Sequence, residues 1–488
     1  MRALTGTPLV LFALLSACIG CGDAADEQSL VTDGRYVSST DGDDSNDGRS
    51  AERPWKTLAR ACRETFGPGA TIYLKRGDTW NEPLIPKGSG DFEQERWITI
   101  QPYGPADGPK PTIDRTAAAG ADSDFAVKLV DVEAWRLVDL AVRNSRTGIV
   151  YVASDEKTRK RGLQIVRCDL RNIRGLADHQ PTPEEDRRTY WWMRGSAAIS
   201  ITGYGYCKDG LPATDASCQG DKNLYLLSYG AGLSDVTIED VTVDLATYGI
   251  WIWGGGFSGQ AARYRIQRPR IVNAGIGGIE LTYIQNGTVT GAVVDRAGGD
   301  NCWSGTFGID INYATDLAIQ SGEVTGTLGE VFYMGDGTGI NLAGGNRNVT
   351  ISGVDIHDND AMAIAIEGAS ATENATYEIA GNRIWGNGRK NENPAPGQYE
   401  YPEFLLALNI GGLTSAAAVR DNWIKMRANR HLLCAVIDST TPCFKDDLAM
   451  EGETRFPPGY SFCGNRDWSR GETDPPLIPG NSVCPARS

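Results

Sequence analysis

Apolar and polar residues alternate along most of this chain in short runs of period two, the pattern of half-buried strands. One run recurs: GIVYV from Gly148, AISIT from Ala198, GIWIW from Gly249, GIELT from Gly278, GIDIN from Gly308, GINLA from Gly339, AIAIE from Ala363 and ALNIG from Ala407. The first apolar residues of the later copies, Ile250, Ile279, Ile309, Ile340, Ile364 and Leu408, follow one another at 29, 30, 31, 24 and 44 residues. Such steps suit the coils of a solenoid with loops of varying length. Between the copies lie further β-rich runs, among them NGTVTGAVV, TDLAIQSGEVTG and RNVTISGVDIHDN. Each coil therefore supplies about three short strands separated by turns. Helix-period patterns are nearly absent.

Alternation assigns the faces. Ile279/Leu281, Ile309/Ile311, Ile340/Leu342, Ile364/Ile366 and Leu408/Ile410 point inward and stack into an apolar core. The intervening residues point outward as a column of Trp251, Glu280, Asp310, Asn341, Ala365 and Asn409. A neighbouring column reads Trp253, Thr282, Asn312, Ala343, Glu367 and Gly411. With coils about 4.8 Å apart, both columns are continuous ladders on one face.

Residues 36–62, YVSSTDGDDSNDGRSAERPWKTLARAC, resemble the entry segment of bacterial right-handed parallel β-helix proteins of the pectate-lyase-like superfamily. In that family a Tyr-Val-Ser strand and an Asp/Asn/Gly turn lead through Pro-Trp-x-Thr to a short capping helix. The stretch PGATIYLKRGDTWNEPLIP fits the first coil. The resemblance spans roughly residues 35–440 and implies an all-β, single-stranded right-handed parallel β-helix. Its helical cap would turn Trp55, Leu58, Ala59 and Cys62 toward the open end of the coil, where unpaired strand edges need cover. Residues 441–488 are Pro-rich and are expected as an irregular tail.

The start of the chain adds a location. Arg2, the apolar run Leu9–Leu15 and the lipobox-like Leu15-Ser16-Ala17-Cys18 resemble a bacterial lipoprotein leader. The resemblance implies a signal peptide over residues 1–17, a lipidated Cys18 and a polar tether over 18–34. Ile19 in place of Asp favours the outer membrane, so the only membrane contact expected is a lipid anchor. Eleven cysteines fit an oxidising compartment. Close spacing suggests the pairs Cys207/Cys218, Cys434/Cys443 and Cys463/Cys484, with Cys62/Cys168 as a fourth. Asn286, Asn348 and Asn374 head glycosylation-type triplets but read better as turn residues.

Composition then narrows the partner. A net charge of −15 excludes a nucleic-acid binder. Glycine, 59 residues, belongs to the turns. A monomer acting on polysaccharide is expected, as a lyase or a glycoside hydrolase working in a groove along the ladder. A non-catalytic polysaccharide-binding protein is the alternative. Glu280 and Asp310, on successive coils, are the candidate catalytic carboxylates, with Glu367 in support. The same pair is a candidate site for Ca²⁺, with Asp300, Asn312 and Asp336 nearby. Trp251, Trp253, Asn312, Asn341 and Asn409 are candidate substrate contacts, and Tyr283 and Tyr313 lie beside them. GIDI resembles a polygalacturonase-type strand, yet the Gly-His-Gly and Arg-Ile-Lys motifs of those hydrolases are missing. A lyase would draw its base from Arg263, Arg265, Arg296, Arg347 or Lys390. DGDDSNDG from Asp41 reads as an Asx-rich turn rather than a calcium loop, and His357 as an exposed turn residue.

Overall fold

The computed structural model describes residues 30–116, 125–153, 159–174, 196–203, 232–254, 261–299, 306–329, 337–367, 376–389, 404–407, 416–425, 433–436, 460–467, 476–477 and 484. Strands pair in parallel, each with its counterparts one coil before and one coil after. The ladders sort into three sheets. The first runs from Phe125–Val130 through Ala197–Gly203, Phe307–Asn312 and Thr338–Ala343 to Leu433–Val436. The second runs from Gly34–Val37 to Tyr460–Cys463, and the third from Thr79–Trp80 to Arg466–Asp467. Chain order visits second, third and first sheet in turn, which is one coil of a right-handed parallel β-helix.

The inward residues explain why the coil closes. Ile250, Ile279, Ile309, Ile340 and Ile364 stack in register, as do Ile252, Leu281, Ile311, Leu342 and Ile366, and all are buried. Each such side chain contributes about 1.5–3 kcal/mol by leaving water. The glycine that opens most copies of the motif is there for space. A Cβ on Gly278 would lie 2.4 Å from Val294 and 2.5 Å from the Gly308 carbonyl, and Gly308 is equally hemmed in by Val324 and Gly339.

Buried asparagines close the corners, a role the repeat pattern did not single out. Between second and third sheets, Asn382, Asn422 and Asn465 stack, each Oδ1 accepting the backbone N–H one coil earlier at 2.9–3.0 Å. Between third and first sheets, Asn359 and Asn387 do the same. Asn346 holds the corner between first and second sheets, accepting from Ala314 N at 2.8 Å and donating to the Ile311 and Ala343 carbonyls. These side chains satisfy backbone groups that a buried turn would otherwise orphan.

At the N-terminal end the helix is a single turn, Leu58–Ala61, capped by Thr57. Trp55, Leu58 and Ala61 are its buried side, whereas Ala59 faces out, contrary to expectation. The acidic turn is an Asx turn: Asp44 accepts from Lys56 N, Thr57 N and Thr57 Oγ1, and Asp43 from Ser45.

Four further expectations change. Cys62 and Cys168 are free thiols, not a bridge. Cys168 is a packed core residue, and burial pushes its thiol up to about 12. The coil continues past residue 440, because Tyr460–Cys463 and Arg466–Asp467 extend the second and third sheets. The Cys463–Cys484 disulfide forms as expected, and Leu477 pairs antiparallel with Arg466 at that edge. The partner of Ile364 is Phe404 rather than Leu408. The run FLLAL is apolar enough to satisfy either register, and alternation alone does not choose between them. Finally, His357 is half-buried, stacked on Trp385 at 4.0 Å between Glu323 and Asp358. Asn286 and Asn348 adopt the left-handed turn conformation, as read.

Cys18, Cys21, Cys207, Cys218, Cys302, Cys443 and Asn374 lie outside the described residues, as does the side chain of Cys434.

Candidate functional site

The first sheet carries the expected column. Ser200, Trp251, Glu280, Asp310, Asn341 and Ala365 are register partners on successive strands. Beside them run Trp253, Thr282, Asn312, Ala343 and Glu367. Beyond Ala365 the column continues at Leu405, so Asn409 does not take the place expected of it. Asn409, Asp300, Asp336, Lys390 and the side chain of Glu367 lie outside the described residues.

The column is not a solvated ladder. Trp251 is 0% exposed, Asn341 2%, Glu280 3% and Asp310 7%. Trp251 is thus no exposed stacking platform: it packs with Ala197, Tyr248 and Ile276, and half-buried Trp253 leans against that cluster. From Trp253 an aromatic row follows the corner, with Trp253–Tyr283 ring centroids 5.6 Å apart and Tyr283–Tyr313 stacked at 4.7 Å. Tyr283 and Tyr313 reach these places from left-handed backbone, φ 55° and 49°. Burial, then the neighbouring Tyr313, holds the Tyr283 phenol above its usual range.

Asp310 is the best-defined group. Asn312 Nδ2 donates to its Oδ2 at 2.7 Å, and Asn341 Nδ2, one coil on, donates to its Oδ1 at 2.9 Å. A carboxyl that accepts at both oxygens is held in one orientation. Glu280 is its neighbour one coil earlier. The two Cα atoms are therefore about 4.8 Å apart along the ladder. The extra methylene of Glu offsets its carboxyl by about one C–C bond, about 1.5 Å.

The arrangement suits acid–base and nucleophilic chemistry. Both Asp310 oxygens accept from amide N–H donors, which fix the orientation of the carboxyl. Among the described residues no cluster of three or more His, Cys, Asp or Glu is placed to hold a metal. The candidate lyase bases stand on other sheets and corners. Arg263 is held by Asp235 at 2.5 and 2.7 Å, and Arg296 bonds Asn273 at 2.9 Å. Arg265 and Arg347 belong to second-sheet strands. From Ser200 to Ala365 the outward positions of the first sheet hold no Lys, Arg or His among the described residues.

Comparison with known proteins agrees on the fold. No protein-family model matches the chain. A lacto-N-biosidase of Bifidobacterium longum subsp. longum is 35% identical over 88 residues, 18% of this chain and 6% of that protein. The crystal structure of a GH136 lacto-N-biosidase from Eubacterium ramulus superposes with a TM-score of 0.53 at 15% identity, covering 83% of this chain and 66% of that one. An alginate lyase from Paenibacillus sp. str. FPU-7 aligns at a TM-score of 0.40 and 13% identity, over 84% of this chain and all of its own, too distant to argue from. The chain thus spans a small part of the curated relative and about two thirds of the superposed structure. What these likenesses establish is the parallel β-helix.

Proposed function

We propose that the protein is a glycoside hydrolase that cleaves a neutral glycan at the Glu280–Asp310 pair. The observation that carries this reading is the double amide clamp on Asp310 beside a second buried carboxyl on the adjacent strand. Combining the 4.8 Å ladder step with the methylene offset puts the two carboxyls about 5 Å apart, in the range of retaining glycosidases, about 5–5.5 Å, and short of the 6.5–9.5 Å of inverting ones. Asp310, acting as a carboxylate, attacks the anomeric carbon as the glycosidic bond breaks. Glu280 gives its proton to the departing oxygen and then takes one from the water that releases the sugar. The lacto-N-biosidase likenesses, both to glycosidases by name, favour hydrolysis over elimination. The lack of a cationic base along the described part of this face does the same. The acidic balance of the chain, −15, favours an uncharged substrate.

The test is mass spectrometry of products from a panel of neutral and uronate polysaccharides. Saturated products from a neutral glycan, abolished in Asp310→Asn and Glu280→Gln, are expected. Unsaturated uronates would make the protein a lyase, and undiminished cleavage by both variants would remove the site assignment.

The same reading sets the enzyme outside the cytoplasm, tethered through a lipidated Cys18. Labelled palmitate should enter the wild type in a Gram-negative host and be lost in Cys18→Ser. No helix among the described residues is long and apolar enough to cross a membrane.

A further inference from the structure

The covered column has an uncovered margin. Trp253 and Asn312 in the adjoining column, and Tyr283 and Tyr313 in the turns that follow it, are half-buried, whereas Trp251, Glu280 and Asn341 are buried. Three polar atoms of this margin make no hydrogen bond among the described residues: Trp253 Nε1, the Tyr283 hydroxyl and Asn312 Oδ1. Unlike Trp251 Nε1 and Glu280 Oε1, none of the three is sealed from solvent. Water meets them in the structure as it stands, and a ligand can take the place of that water.

Register places the three on successive coils. Trp253 pairs with Thr282, the neighbour of Tyr283, and Thr282 pairs with Asn312. Two ladder steps, about 9.6 Å, separate Trp253 from Asn312. The Trp253 and Tyr283 rings meet at 51° and form an angled aromatic wall, which Tyr313 backs by stacking on Tyr283 at 9°. Left-handed backbone is costly for a bulky side chain. Yet the coils that carry Glu280 and Asp310 both place Tyr there, φ 55° and 49°, where the next coil uses Gly344. Such outliers gather at functional sites. The polar atoms differ in kind. An indole N–H only donates, a phenol serves either way, and Asn312 Oδ1 accepts, its amide N–H being committed to Asp310. None of residues 253–254, 282–284, 312–314 and 343–346 is charged.

We propose that Trp253, Tyr283 and Asn312 form an uncharged sugar-binding margin that holds an extended neutral oligosaccharide along the coil axis, with Tyr283 as its specificity-determining contact. The proposal rests on the glycoside hydrolase reading for the part this binding plays in turnover, but not for the binding itself. The ligand turns an oxygen to Trp253, hydroxyls to Tyr283 and Asn312, and the apolar face of a sugar ring to the aromatic wall. A uronate finds no cation among these residues to offset its charge. A site that bonds a sugar hydroxyl discriminates strongly against analogues lacking it.

Tyr283→Phe and Trp253→Phe each remove a polar group and keep an aromatic ring. Wild type and both variants are applied to an array of immobilised neutral and uronate oligosaccharides. Wild type should bind neutral members, with each variant about five- to tenfold weaker, the net worth of one hydrogen bond. Without ligand, Tyr283→Phe should melt as wild type does, since the hydroxyl removed had only water to lose. On a cleaved glycan, Tyr283→Phe should act on KM rather than kcat. Variants that bind as wild type does, a Tyr283→Phe weakened only through lost thermal stability, or a wild type that binds no neutral glycan or prefers uronates, would overturn the proposal. An inert protein that binds neutral glycans through Tyr283 would refute the hydrolase reading and leave this one standing. A wild type that cleaves, with KM unmoved in both variants, would do the reverse. If Trp253→Phe fails to fold, Tyr283→Phe decides.

Discussion

Asn346 is the point where fold and site meet, and its truncation has a calculable consequence. The residue is 0% exposed and holds the corner that follows the strands bearing Asp310, Asn312 and Asn341. Asn346→Ala removes three side-chain bonds, from Ala314 N at 2.8 Å and to the Ala343 and Ile311 carbonyls at 2.9 and 3.0 Å. At about 1 kcal/mol each, their net loss is about 3 kcal/mol. The carbonyls keep a second lone pair, but the buried Ala314 N–H is left with nothing, which adds about 1–3 kcal/mol. The sum is about 4–6 kcal/mol, which relaxation of the corner draws down to about 3–4 kcal/mol. In a solenoid each coil answers mainly to its neighbours, so the effect should be local. Hydrogen exchange by mass spectrometry should show peptides over 306–350 losing protection by about two to three orders of magnitude, while peptides over 70–103 are unchanged. The turn should also release Asp310 from its clamp and lower cleavage. An exchange rate within threefold of wild type over 306–350, with an unchanged denaturation midpoint, would refute the view that these corner amides hold the coil.

Other consequences follow from the same geometry. Gly344 has φ +68° and a Cβ there would lie 3.1 Å from the Tyr313 ring, so Gly344→Ala should cost about 1–2 kcal/mol and alter the near-ultraviolet circular dichroism of the aromatic row. The Cys168 thiol, pushed up to about 12 by burial, keeps its proton in the folded state at a pH where the unfolded thiol has lost it. Its contribution is therefore whole below about pH 8.5 and falls as pH rises toward 12, so the loss of stability between about pH 9 and 11 should be shallower in Cys168→Ala. Cys463→Ser opens a loop of sequence separation 21 and should cost about 3 kcal/mol in chemical denaturation, with the difference vanishing when wild type is reduced.

How much of this was visible in the residues differs from element to element. Period-two alternation found the inward stacks and the outward column from Trp251 to Ala365, because a strand residue one place away must face the other side. It therefore also found that Glu280, Asp310 and Asn341 are neighbours. It failed at Leu408, where an unbroken apolar run hides the register and Phe404 takes the place. Burial was the larger miss. Outward on a coil was read as exposed, but Trp251 and Glu280 are covered, and alternation carries no information about what lies over a face. The corner asparagines were masked by the abundance of Asn and Gly in turns of every kind. The Cys62–Cys168 pairing failed because Cys168, buried between the strands Lys160–Val166 and Asp169–Ile173, packs as a small apolar residue without a bond.

The central claim is that Asp310 and Glu280 divide the roles of nucleophile and acid–base. The most direct measurement is azide rescue of Asp310→Ala and Glu280→Ala on the activated glycoside of whichever neutral sugar the wild type releases, with the product's anomeric configuration read by proton magnetic resonance. The account predicts a glycosyl azide from both variants, with inverted configuration from Asp310→Ala and retained configuration from Glu280→Ala. Two variants that cleave as wild type does without azide, or configurations the other way round, would contradict it.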